Sequence, residues 1–142
     1  MTTKILYSTT ARAVGGRDGK AATLDGSFAV TLGTAKELGG NGVGNNPEQL
    51  FASGYAACFL GAMKFAAAQD ANLPRIPVDA AVEATVGIGP RDDKGFGLTV
   101  ALVVFLPGVE RTAAQALVAE ADTICPYSHA IRGNIAVDIN VG

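Results

Sequence analysis

The stretch from Pro47 to about Ala71 constrains this chain more than any other. Leu50, Phe51, Gly54, Ala57, Cys58, Gly61, Ala62 and Phe65 recur at helical spacing, and small residues fill the remaining faces. A helix that is apolar on nearly every side needs neighbours on every side, so the pattern predicts a central helix. Its start is marked by the glycine loop Gly39-Gly40-Asn41-Gly42-Val43-Gly44, after which Asn45 or Asn46 can cap a first turn containing Pro47 and Glu48. Pro74 and Pro77 lie beyond its end. The weakly polar part, Gln49 to Met63, lies between Glu48 and Lys64 and is shorter than the roughly 20 residues a bilayer crossing needs, so a buried helix is expected and no membrane.

Strand signals surround this helix. Lys4 to about Val14 mixes Thr, Tyr, Ile and Val, then runs into Gly15-Gly16-Arg17-Asp18-Gly19 before a short segment, Ala21 to Leu24. Asp25-Gly26 turns the chain into a third strand expected over Ser27 to Leu32. Beyond the helix, Val78 to Ile88 and Gly97 to Leu106 read as two longer strands joined through Arg91-Asp92-Asp93-Lys94-Gly95, which has hairpin-turn chemistry. Thr112-Ala113-Ala114-Gln115 matches a capping box ahead of a second helix striped by Ala113, Leu117, Ala121 and Ile124 and stopped by Pro126. Alternation of Ile135, Val137, Ile139 and Val141 predicts a closing strand over Asn134 to Val141. Strands, helix, strands, helix, strand is an α+β pattern, and with no repeat or linker it reads as one domain, residues 1–142.

Composition narrows the function classes. Charged residues make up 17% of the 142, below the usual share of about 25%, and the 11 lysines and arginines are scattered, which argues against a nucleic-acid surface. The start, Met1-Thr2-Thr3-Lys4-Ile5-Leu6-Tyr7-Ser8, lacks the apolar core and small-residue cleavage site of a signal peptide, so the cytoplasm is the expected compartment. Two cysteines stay reduced there, and a disulfide between them is transient chemistry rather than architecture.

Several chemistries compete for the remaining residues. The glycine loop lacks a Gly-Lys-Ser/Thr ending and G-x-G-x-x-G spacing, so a mobile loop is the simpler reading than a phosphate cradle. His129 is the one histidine and stands beside Ser128 without a nucleophile-elbow motif; a surface histidine near a helix end is expected. Cys58, Cys125 and His129 offer three metal ligands where a closed zinc site wants four. Either cysteine can be plain core, since free cysteine is among the most buried residue types. Arg17 sits in a turn that needs no cation, and Glu48 at a helix start is favoured by the macrodipole alone.

The ensemble is more specific than its parts. Gly15-Gly16-Arg17-Asp18-Gly19, Asn46-Pro47-Glu48-Gln49-Leu50-Phe51-Ala52, Gly54-Tyr55-Ala56-Ala57-Cys58-Phe59 and Cys125-Pro126-Tyr127-Ser128 with Arg132-Gly133-Asn134 closely resemble the organic hydroperoxide resistance proteins of the osmotically inducible protein C (OsmC) superfamily. The likeness spans essentially the whole chain, and Gly54-Tyr55-Ala56-Ala57-Cys58 favours this branch over its osmotically inducible sister branch. Ser53 and His129 depart from the family's usual alanine and asparagine.

The resemblance implies an OsmC-like fold, an intertwined homodimer with long central helices wrapped by two antiparallel sheets. It implies a thiol peroxidase: Cys58 is the peroxidatic thiolate, Cys125 the resolving thiol, and Arg17, oriented by Glu48, assists Cys58. No resident cofactor is expected. The partners implied are an organic hydroperoxide substrate and a dithiol reductant, dihydrolipoamide or a lipoylated protein. Phe51, Tyr55, Phe59 and Met63 are candidates either for an apolar substrate pocket or for core packing. A small-molecule carrier and a redox sensor are the competing classes.

Overall fold

The computed structural model describes residues 2–142, which form two compact units, the first ending at Leu50 and the second covering Phe51–Gly142. The first holds an antiparallel sheet in the order β1 (Ala11–Val14), β2 (Lys20–Thr23) and β3 (Ala29–Thr31). Ala11 pairs with Thr23 and Lys20 with Thr31. The expected opening strand is therefore cut back to its last four residues. β2 offers only four partners, and among the described residues no strand lies beside residues 4–10, which leaves Ile5, Leu6 and Tyr7 exposed. The chain leaves β3 and doubles back, so that Gly33 N–H donates to Asn45 O at 2.8 Å and Asn45 N–H to Thr31 O at 2.9 Å.

Helix α1 (Pro47–Gln69) follows at once. Asn46 is its cap: Gln49 N–H donates to Asn46 Oδ1 at 2.9 Å, while Asn46 N–H donates back to Gln49 Oε1 at 3.0 Å. This reciprocal pair satisfies two backbone donors that the first turn would leave open. By length and apolarity alone α1 would suffice to cross a bilayer, yet Tyr55, Phe59, Ala62, Met63 and Ala66 are buried in protein. On the opposite side, among the described residues, Ser53, Ala57, Gly61, Lys64 and Phe65 are exposed, Phe65 by 56%.

In the second unit the sheet order is β4 (Ala81–Pro90), β5 (Phe96–Phe105) and β6 (Val137–Val141). β4 and β5 form the expected hairpin, with Ala81 opposite Phe105 and Pro90 opposite Phe96. Gly95 closes its turn at φ +81°, a conformation a residue with a Cβ adopts only under strain. The expectation of two antiparallel sheets fails at the third strand, because β6 joins β5 in parallel, Leu102 opposite Ile139. The cause is the connection: α2 (Arg111–Ile124) and α3 (Pro126–Ile131) carry the chain back before β6, a crossover that returns it in the same direction.

Alternate residues of β5, Val100, Leu102 and Val104, point into one core with α1 and with Ala114, Leu117, Val118 and Ala121 of α2. α2 starts two residues earlier than the expected capping box allows. Glu110, rather than Thr112, is the cap, and its carboxylate accepts from Thr112 N–H at 3.1 Å and Ala113 N–H at 3.0 Å. Those two bonds hold the Glu110 carboxyl below its ordinary value.

Candidate active site

Arg17 belongs to the first unit. Between β1 and β2 the chain makes a 3-10 turn, Gly16–Asp18, whose flanking glycines leave no room for side chains: a Cβ on Gly19 would stand 1.7 Å from Val14 O. Asp18 Oδ1 accepts from Thr34 N–H at 3.0 Å and from its hydroxyl at 2.8 Å, which ties the turn to the segment after β3. Arg17 projects from this anchored turn and meets Glu48 in the first turn of α1. Its Nη1 and Nη2 donate to Oε2 and Oε1 at 2.9 and 2.6 Å, a two-pronged pair. The bonds hold the Glu48 carboxyl below its ordinary value, against the opposing effect of burial, and push Arg17 further up. The glycine-rich turn and the acidic helix start thus find each other, which their separate structural explanations did not require.

The cysteines belong to the second unit. Cys58 is half-buried on α1, while Cys125 is fully buried at the junction of α2 and α3. Cys125 continues α2 through its N–H, which donates to Ala121 O at 2.8 Å, and starts α3 through its carbonyl, which accepts from His129 N–H at 3.0 Å. Pro126 occupies the first position of α3, where a missing N–H costs nothing. The bend aims the thiol at α1: Cys125 Sγ donates to Cys58 Sγ at 3.5 Å, and neither is in a disulfide. Two residues 67 positions apart are thereby placed within reach of one bond.

The surroundings of Cys58 act in opposite directions. Burial pushes its thiol up from the ordinary value, the backbone N–H of Tyr127 donates to the sulfur and pulls it down, and Cys125 beside it disfavours negative charge there.

Aromatic rings crowd the same side of α1. Phe51, Tyr55 and Tyr127 form a triangle with centroid distances of 6.2, 6.0 and 5.7 Å. Gly54, one turn before Cys58, lies beneath the Tyr127 ring; a Cβ there would stand 2.7 Å from the phenol oxygen. Of the four expected pocket residues, Tyr55, Phe59 and Met63 are wholly buried and belong to the core, which leaves Phe51. Tyr127, 39% exposed, is the aromatic that spacing missed, because it approaches from α3 rather than along α1. His129 is exposed.

One further pair escaped the sequence. The Tyr55 hydroxyl and Ser128 Oγ lie 2.6 Å apart, both residues buried. Ser128 sits three residues after Cys125 and Tyr55 three before Cys58, a symmetry that becomes meaningful only once α1 and α3 are known to face each other.

Comparison with known proteins gives one consistent result. The family model described as OsmC-like protein matches residues 39–140. An organic hydroperoxide resistance protein from Xanthomonas axonopodis pv. citri is 48% identical, over 97% of this chain and 96% of that one. A second, organic hydroperoxide resistance protein OhrB from Bacillus subtilis, is 40% identical over 96% and 98% of the two chains. The crystal structure of an organic hydroperoxide resistance protein from Legionella pneumophila superposes with a TM-score of 0.89 at 45% identity, covering 98% of this chain and 99% of that one.

Proposed function

Since the chain belongs to the OsmC-like family, we propose that it is a thiol-dependent peroxidase that reduces organic hydroperoxides to alcohols in defence against oxidative stress. The observation that carries this reading is the pair of free thiols 3.5 Å apart, one half-buried and one fully buried. The names of its relatives, organic hydroperoxide resistance proteins, support the substrate class.

In the proposed cycle the Cys58 thiolate attacks the nearer peroxide oxygen. The O–O bond breaks, an alkoxide leaves and takes a proton to become the alcohol, and Cys58 becomes a sulfenic acid. The Cys125 thiol then attacks the Cys58 sulfur; an S–S bond forms, the S–O bond breaks, and water leaves. An external dithiol reopens the disulfide by two exchanges and is itself oxidised. The family resemblance makes that dithiol a dihydrolipoyl group, free or protein-bound, and the enzyme needs no resident cofactor.

Arg17 serves Cys58 in this reading. A guanidinium has five N–H donors, and Glu48 engages only two, so the rest are free to hold a thiolate or a peroxide oxygen. The two-pronged pair fixes the guanidinium plane in a way one ammonium cannot copy. Phe51 and Tyr127 supply the apolar wall for the alkyl part of the substrate.

The working form is a homodimer in a reducing, cytoplasmic setting, with chain 1–142 acting as one OsmC-like domain. Support for the dimer comes from α1, whose exposed side carries Ser53, Ala57, Gly61 and Phe65 beside Lys64, small residues that let another helix approach closely. Hydroperoxide consumption by the purified protein with dihydrolipoamide, compared with Cys58→Ser, tests the reading. Turnover that survives the substitution would end it.

A further inference from the structure

We infer that the buried Tyr55–Ser128 hydrogen bond is a positioning device for the resolving step: it holds Cys125 over Cys58 and so sets how fast the disulfide closes. The inference rests on the thiol-peroxidase reading and assigns within it a role to two residues that do not touch the reacting atoms.

The geometry is a two-point attachment. Tyr55 and Cys58 lie about one turn apart on α1; Cys125 and Ser128 lie one turn apart at the start of α3. The hydroxyls meet at 2.6 Å and the sulfurs at 3.5 Å, so the first contact fixes the distance and rotation available to the second.

Packing alone does not explain this pair. Tyr55 is fully buried and Ser128 is 3% exposed, in a core otherwise built from Phe59, Met63, Leu102, Leu117 and Val104. Burying two hydroxyls is costly unless they bond to each other, and apolar groups of the same shape in both places would be nearly neutral. What a hydrogen bond adds over apolar contact is direction. Direction matters here because a disulfide needs the sulfurs to close to about 2.05 Å in a specific dihedral range.

Without the pin, the Cys125 turn samples orientations in which its sulfur misses Cys58. The Cys58 sulfenic acid then persists and meets a second hydroperoxide: its sulfur takes one oxygen to become a sulfinic acid, and an alcohol leaves. Peroxide attack itself uses neither hydroxyl and keeps its rate.

The test is single-turnover kinetics of the reduced full-length protein with one equivalent of cumene hydroperoxide, following sulfenic acid and disulfide separately by quenched intact mass. Tyr55→Phe and Ser128→Ala should each slow disulfide closure by about tenfold, the size expected when a net ~1.4 kcal/mol of orientation is lost. Sulfenic acid formation should stay within twofold of wild type, sulfinic acid should appear at lower peroxide excess, and the double variant should be no worse than either single one. Ser128→Thr keeps the hydroxyl and should restore closure, since a cavity of about 250 Å3 lined by Tyr55, Ser128 and Ile131 has room for the added methyl. Wild-type closure rates in both hydroxyl-deleted variants would overturn the inference. So would an equal slowing of both steps, the mark of a general loss of packing. A wild-type protein that forms no sulfenic acid and no disulfide overturns the peroxidase reading and this role with it, whereas normal closure in the variants overturns the role alone.

Discussion

Replacing Arg17 by lysine keeps the positive charge and removes the fork. The fork's value divides into ionisation of the thiol and orientation of the peroxide. For a generic thiol of pKa about 8.5, a fall of two units raises the thiolate fraction at pH 7 roughly 25-fold. With a Brønsted slope of about 0.4–0.5, the more acidic thiolate is roughly 6–10-fold less nucleophilic, so the net gain is only about threefold. Orientation must carry the rest. Arg17 meets Glu48 through two bonds of 2.6 and 2.9 Å, with side chains 40% and 12% exposed. A lysine gives Glu48 one bond and loses the plane, so one charge-assisted hydrogen bond to the reacting group is lost, a net of about 1.5–3 kcal/mol. At about 1.36 kcal/mol per decade that is roughly a 10–150-fold fall in kcat/KM for an organic hydroperoxide. Folding should barely change, because an ion pair this exposed contributes about 1 kcal/mol or less. Nor should the pair titrate in the assay. The Glu48 carboxyl is depressed, so its contribution is full above the ordinary carboxylate value and is lost only as pH falls through the lower folded value. Steady-state kinetics at pH 7 with dihydrolipoamide, beside a thermal melt, measure both quantities. Arg17→Lys turnover within threefold of wild type would show that charge alone suffices and refute the argument.

Other perturbations give sharper readouts elsewhere. Cys125→Ser should consume about one equivalent of hydroperoxide and then accumulate Cys58 sulfinic acid under excess peroxide, visible by intact mass; sustained dithiol-linked turnover would contradict a resolving role. In Arg17→Ala, the pH midpoint of Cys58 alkylation should rise relative to wild type, because a nearby guanidinium favours the thiolate and its loss leaves burial and Cys125 to disfavour it; an unchanged midpoint would separate Arg17 from Cys58. Gly54→Ala drives a methyl into the Tyr127 phenol, so the ring must swing outward. Helix propensity favours the change by about 1 kcal/mol, so stability should hold while KM for bulky hydroperoxides rises, and a KM like wild type would remove Tyr127 from the substrate wall. Leu117→Ala, in the fully buried face of α2, should cost about 2–5 kcal/mol in urea unfolding, and a loss under 1 would misplace that helix in the core.

Local signals read well wherever chemistry was local. Asn45 or Asn46 ahead of Pro47 and Glu48 announces the start of α1, where the structure selects Asn46, and Arg91-Asp92-Asp93-Lys94-Gly95 announces the hairpin between β4 and β5, because caps and turns are decided within a few residues. Pairing with distant or absent partners was not legible. Residues 4–10 have strand composition, but strand needs a neighbour and, among the described residues, none lies beside them. The parallel entry of β6 depends on the α2–α3 crossover, and α3 was missed because six residues are too few to show helical period. At the site, the resemblance marked Arg17, Glu48, Cys58 and Cys125, and the structure pairs them two and two. Tyr55 and Ser128 lie in the resembling segments, but nothing there pairs them: their partnership spans 73 positions and exists only in the packing of α3 on α1.

The measurement that tests the central claim most directly is the consumption of cumene hydroperoxide by the reduced protein with dihydrolipoamide, run beside Cys58→Ser and followed by intact mass. The account predicts rapid turnover that vanishes in the variant, with a Cys58–Cys125 disulfide trapped when the dithiol is omitted. Two thiols that remain unreacted after peroxide is added would contradict it and return the cysteine pair to the core.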